Sequence, residues 1–145
     1  MELSRGTARE AIRCLVNEER AELGLRALER DRRLQRASQR HTARMDGTGC
    51  FSHQCPGERS LERRLKRYLS GRPRRYLFGE ALAWQPGPLA SPRQIVDQLM
   101  NSAEHRFHLL HPKYDEVGVG FTTGTPQSAL AFGGIYTLNF GMRVG

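Results

Sequence analysis

The side chains able to do chemistry gather in a few short stretches. Cys50, His53 and Cys55 fall within six residues, which is half of a zinc knuckle whose other half is missing. His105, His108 and His111 recur every three residues and invite a metal reading. Pro112 and the apolar Phe107, Leu109 and Leu110 between them argue instead that a helix ends there and the three rings diverge. His41 shares a helical face with Leu34, Ala37 and Met45, which fits a satisfied structural histidine or a hydrogen bonder that reaches a nearby site. Cys14 is remote in sequence. A disulfide from Cys14 to Cys50 or to Cys55, or a short loop closed between Cys50 and Cys55, would suit an exported protein, and one thiol stays unpaired in the monomer. No nucleophile elbow, phosphate loop or paired-histidine zinc-protease helix is present.

The chain that carries these groups has 145 residues, which fits one domain. Its apolar content lies in the globular range and excludes disorder, and no apolar run approaches the roughly 18 residues needed to cross a bilayer. Met1 to Glu10 lacks the hydrophobic stretch of a signal peptide. The net charge is +8, and the whole excess sits in residues 1 to 75, with 19 basic against 10 acidic groups. Arginine supplies 21 of the 23 basic residues. That bias reads either as codon use in a GC-rich genome, with the charges on solvated helix faces, or as a surface for phosphate or carboxylate groups. The third helical segment and the run Arg72, Arg74, Arg75 would form such a basic patch.

Hydrophobic spacing sets the elements that must position these groups. Residues 1 to 10 read as an N-terminal tail that leads into a single domain from 11 to 145. Thr7 and Glu10 have capping-box spacing, which starts a first helix at about residue 8, and Gly24 stops it. Asp31 caps a second helix, and a third runs from about Arg59 to Leu69. An extended stretch covers Tyr76 to Trp84, and Ser91 with Pro92 starts a fourth helix. Val117, Val119 and Phe121 alternate as a strand, Thr122 to Ser128 reads as a hairpin loop, and Leu130 to Met142 forms the last strand. Gly133 and Gly134 imply a bulge or a close backbone approach. The order predicts an α+β fold with a small antiparallel sheet covered by helices.

Separated segments then match one pattern in order. They are Cys14-Leu15-Val16-Asn17-Glu18-Glu19-Arg20, Phe51-Ser52-His53, Phe78-Gly79-Glu80, Asn101-Ser102-Ala103-Glu104-His105-Arg106 and Glu116-Val117-Gly118-Val119-Gly120. Together they resemble the CAP superfamily, or SCP domain, which includes cysteine-rich secretory proteins, antigen 5 and pathogenesis-related proteins, and most closely its bacterial SCP-like branch. The resemblance covers about Ala11 to Met142. It implies a three-layer α-β-α sandwich with a small, mainly antiparallel sheet, and a cleft where histidine and glutamate side chains converge. By motif, His53, Glu80 and His105 match three members of the family's tetrad. Ala81 stands where the family has asparagine after the glutamate, which removes one polar contact from the cleft. Ser102-Ala103-Glu104-His105 replaces Ser-Pro-Gly-His, which would lengthen the helix. Ser102 also takes the register of a second glutamate in animal and plant members; Glu104 could supply a carboxylate, but beside His105 it would point about 100° away on a regular helix.

His53, Glu80 and His105 can be read in three ways. They would hold zinc or another divalent metal with an open position, form a metal-free acid–base pair, or tie loops together without chemistry. Trp84 and Phe78 flank Glu80 and either wall the cleft or pack in the core. The resulting expectation is an exported, secreted or cell-envelope binding module that requires no cofactor and takes a small ligand or envelope polymer. A metal-dependent hydrolase is the alternative. A basic-face binder of anionic polymer is the third reading, and nucleic acid is not the expected partner. The signal sequence or anchor would then be absent from this stretch.

Overall fold

Alternation along the strands divides the molecule into layers. The computed structural model describes residues 4–73, 76–127 and 132–143. The strands β1 (Glu29–Arg30), β2 (Gly79–Pro86), β3 (Glu116–Thr122) and β4 (Gly133–Gly141) form one sheet in the order β1-β3-β4-β2. β1 runs parallel to β3, and the other pairs are antiparallel. Ala81, Ala83, Val117, Val119, Phe121, Tyr136, Leu138 and Phe140 pack on one face with α1 (Arg5–Glu22) and α5 (Pro92–Met100). Strand residues one position away point to the opposite face, towards α2 (Arg32–Thr48), because side chains alternate along a strand. The result is the expected α-β-α sandwich.

α2 lies close against the sheet because β3 carries glycine where the two touch. A Cβ at Gly118 would collide with the backbone of Leu34 and Gln35, and one at Gly120 with that of Ser38. Gly133 likewise admits a close approach by Gln85 and Pro86, with pairing that continues in regular register, so the expected close approach holds and no bulge is needed.

Several boundaries differ from the sequence reading. α1 starts at Arg5, capped by Ser4, whose side chain accepts from the Thr7 backbone, and Ala8 is fully buried, so residues 5 to 10 belong to the helix and not to a tail. The third helix is two short turns, α3 (Leu61–Arg64) and α4 (Lys66–Leu69), broken at Leu65. The fourth does not lengthen: α5 ends at Met100, and α6 (Ala103–Leu109) begins afresh after Ser102. Ser128 and Leu130, placed in the hairpin loop and last strand, lie outside the described residues, as do Arg74 and Arg75. No helix among the described residues is long and apolar enough to cross a membrane.

The first motif is structural. The Arg20 side chain is fully buried, and its guanidinium donates to the carbonyls of Arg26, Leu109, His111 and Tyr114, which ties α1 to the end of α6. Asn17 clamps Leu28 through both its amide and its carbonyl. These bonds satisfy loop backbone groups that would otherwise be buried without partners.

Candidate functional site

Glu80 stands at the centre of a polar cluster between α2 and the sheet. It pairs in register with Asn139 on β4, so the two side chains lie side by side on the α2 face. Asn139 Nδ2 donates to Glu80 Oε2 over 2.9 Å, while its Oδ1 lies 2.8 Å from Ser38 Oγ. From α3, Arg64 forks onto the carboxylate, with Nη1 2.9 Å from Oε2 and Nη2 3.1 Å from Oε1. His53 Nδ1 completes the set at 2.9 Å from Oε1. Burial alone would raise the Glu80 pKa, but hydrogen bonds from His53 and Arg64, with the Arg64 charge, outweigh it and hold the carboxyl at about 2. The same bond to Glu80 raises His53 above its ordinary value, against a smaller effect of burial.

A second carboxylate braces the loop that carries His53. Glu58 Oε2 lies 2.6 Å from Nδ1 of the fully buried His41, and Glu58 Oε1 accepts from the Cys55 backbone. His41 Nε2 is 2.9 Å from the Ser52 carbonyl and 3.9 Å from Glu80 Oε1. Both ring nitrogens are thus engaged, one by Glu58 and the other by the Ser52 carbonyl, so His41 bridges the second carboxylate and the loop. Arg64 also donates to the His53 carbonyl, and a disulfide joins Cys50 to Cys55. Histidine, guanidinium, carboxylates and disulfide therefore fix residues 50 to 58 against the sheet.

The residues singled out in the sequence separate into those that meet and those that do not. His53 and Glu80 are hydrogen-bonded. His105, on α6, makes no hydrogen bond or ion pair with either among the described residues, and its Nδ1 is buried without a partner. α6 nevertheless borders the cluster, since Glu104 helps to raise His53 despite its expected orientation away from the cleft. Burial first, then the nearby charges of His53, His111 and His105, lowers His108. His108 lies parallel to the Tyr114 and Phe140 rings, and the His111 ring packs against Tyr114. His41 has the structural role expected of it. Trp84 and Phe78 pack in separate hydrophobic clusters and do not jointly wall a cleft. Ala81 removes nothing from the polar cluster, because it faces α1 and α5 on the other side of the sheet.

These residues, as folded, do not fit a divalent ion. Among the described residues, no group of three or more His, Cys, Asp or Glu side chains could hold a metal. The Glu80 carboxylate already accepts from Arg64, Asn139 and His53, and a guanidinium occupies the place a cation would take. The half-knuckle reading fails as well, because both of its sulfurs are committed to the disulfide. Cys14 remains a free, exposed thiol.

Sequence reasoning missed Arg64, Glu58 and Asn139. Asn139 was open to discovery once the last strand was paired with the Glu80 segment. Glu58 follows the Pro56-Gly57 turn directly, at a position from which it folds back onto the loop. Arg64 was one arginine among many, and nothing in its spacing set it apart.

The fold is an α-β-α sandwich with a polar cluster on the α2 face of its sheet. The profile described as "CAP: Cysteine-rich secretory protein family" matches residues 14–140, and the chain belongs to this family. Among solved structures, an extracellular protein containing an SCP domain from Bacillus anthracis superposes with a TM-score of 0.78 at 24% identity, over 99% of this chain and 45% of that one. An outer surface protein from Borrelia burgdorferi gives 0.71 at 20% identity, over 93% and 94% of the two chains. A cysteine-rich secretory protein from Staphylococcus aureus gives 0.67 at 17%, over 97% and 40%. The chain thus spans less than half of the Bacillus and Staphylococcus proteins, and at these identities the likeness concerns the fold. No curated protein matches the sequence.

Proposed function

We propose that the protein is an exported, non-catalytic binding module of the cell envelope or extracellular space, with a His53–Glu80 centre that shapes a surface and performs no reaction. The observation that carries this reading is the engagement of Glu80: a carboxylate held by Arg64, Asn139 and His53, with a pKa of about 2, is a poor proton acceptor near neutrality. Membership of a secretory-protein family and likeness to proteins titled extracellular and outer surface support export.

One feature favours the hydrolase alternative. His53 is oriented through Nδ1 by a carboxylate, which is how general-base histidines are held, and its side chain is about half exposed. Among the described residues, however, no hydroxyl or thiol lies within hydrogen-bonding distance of its other nitrogen. The test is a panel of ester, phosphoester and amide substrates, assayed with and without added zinc on wild type and His53→Ala. The binding reading predicts the same background rate in all four conditions. Turnover that disappears in His53→Ala would replace it with the hydrolase.

A further inference from the structure

α2 turns a row of arginines towards α3 and α4 across an open groove. Arg40 and Arg44 on α2 face Arg59, Arg63 and Arg64 across a cavity of about 420 Å³. A second, smaller hollow lined by Arg36 and Arg67 shares Ala37, Arg40 and Arg64 with the first, so the two are adjacent. Among the described residues, Arg36, Arg40, Arg44, Arg59, Arg63 and Arg67 have no carboxylate within ion-pair distance. The acidic side chain in the lining, Glu58, is already bound to His41 and the Cys55 backbone.

Such a row is costly as plain surface. Arg36, Arg40 and Arg44 follow one another at i,i+4, a spacing at which like charges destabilise a helix. Some arginines outside the groove do meet acids, as Arg13 meets Glu10, Arg33 meets Asp31 and Arg93 meets Glu18. Unpaired guanidinium groups that converge on a concavity are relieved when an anion enters, and their fork geometry suits phosphate oxygens. From residue 36 to 44 the stripe is about 12 Å long, which exceeds a single phosphate and favours a polymer. Bases are not provided for: Tyr68, the aromatic residue in the lining, is 1% exposed and covered by the Arg33 and Arg72 guanidinium groups, so it offers no stacking platform.

We infer that this groove binds a linear phosphodiester polymer without bases, of the polyol-phosphate kind. The inference names a ligand for the binding role proposed above and rests on that reading. It is read out at the groove arginines and not at His53, so either can fail alone. The test is fluorescence anisotropy with a labelled glycerol-phosphate oligomer across a salt series. It compares wild type with Arg40→Gln/Arg63→Gln and with the charge-matched control Arg26→Gln/Arg93→Gln, whose arginines line neither hollow. The groove variant should bind about tenfold more weakly, with a salt slope shallower by about 1.4, at ~0.7 per lost phosphate contact. The control should stay within about twofold of wild type. Circular dichroism checks folding, and Arg44→Gln/Arg59→Gln repeats the test if the first pair misfolds. Absent wild-type binding, or equal loss in groove and control variants, would overturn the inference. So would single-stranded DNA of equal charge that binds as tightly through the same arginines, which would make the groove a nucleic-acid site.

Discussion

Replacing Arg64 by methionine removes the fork from Glu80 and keeps most of the side chain's bulk. Holding the Glu80 carboxyl at about 2 instead of 4.5, which His53 and Arg64 do together, corresponds to about 3 kcal/mol of stability at neutral pH. Breaking a buried ion pair from one side costs about 3–5 kcal/mol, because the remaining charge stays buried without its partner. Arg64→Met should therefore lose about 3 kcal/mol at pH 7, read by urea denaturation through Trp84, the sole tryptophan, on the strand that carries Glu80. The pH dependence gives a second reading. A depressed carboxyl contributes stability that is complete above 4.5 and is lost as pH falls towards 2, so wild type should weaken steeply across that window. In Arg64→Met the carboxyl titrates nearer its ordinary value, and the loss across the window should shrink by at least half. A loss below about 1 kcal/mol at pH 7, or an acid limb of wild-type size, would refute the claim that this pair holds the cluster together.

Other substitutions probe the rest of the framework. Arg20→Lys keeps the charge but cannot reach four carbonyls, and thermal unfolding should show a loss of about 2–3 kcal/mol. Cys50→Ser opens a short loop and should cost about 2 kcal/mol under oxidising conditions, with little difference from wild type once both are reduced. The His53 ring, followed by NMR, should titrate above 6.5 in wild type and closer to it in Glu80→Gln. The stability this histidine contributes should be complete below 6.5 and fade as pH rises through its folded value.

The layers were legible in the sequence because they rest on local pattern. Period-two alternation in β3, the Ser91-Pro92 start of α5 and the Asp31 cap of α2 each act within a few residues. What escaped depends on contacts between distant segments. The two-residue β1 is a strand only because β3 runs beside it, and no periodicity marks two residues. Ser4 and not Thr7 caps α1, and the Ala8 that follows is buried in the core, a long-range contact that local spacing does not show. His53 and Glu80 followed from the family resemblance, whereas Arg64 had to be seen folded against them. Arg72, read as part of a basic patch, is packed inward over the Tyr68 and Tyr76 rings and beside Glu116. A guanidinium's stacking partner cannot be read from its neighbours in sequence.

Crystals soaked in zinc and measured at the zinc absorption edge would show which partner Glu80 keeps, because its carboxylate cannot hold both a metal and the Arg64 fork. No anomalous peak should stand between His53 and Glu80, and Arg64 and Asn139 should still be bonded to the carboxylate. A peak about 2.0–2.2 Å from a His53 nitrogen and a Glu80 oxygen, with Arg64 displaced, would contradict that arrangement.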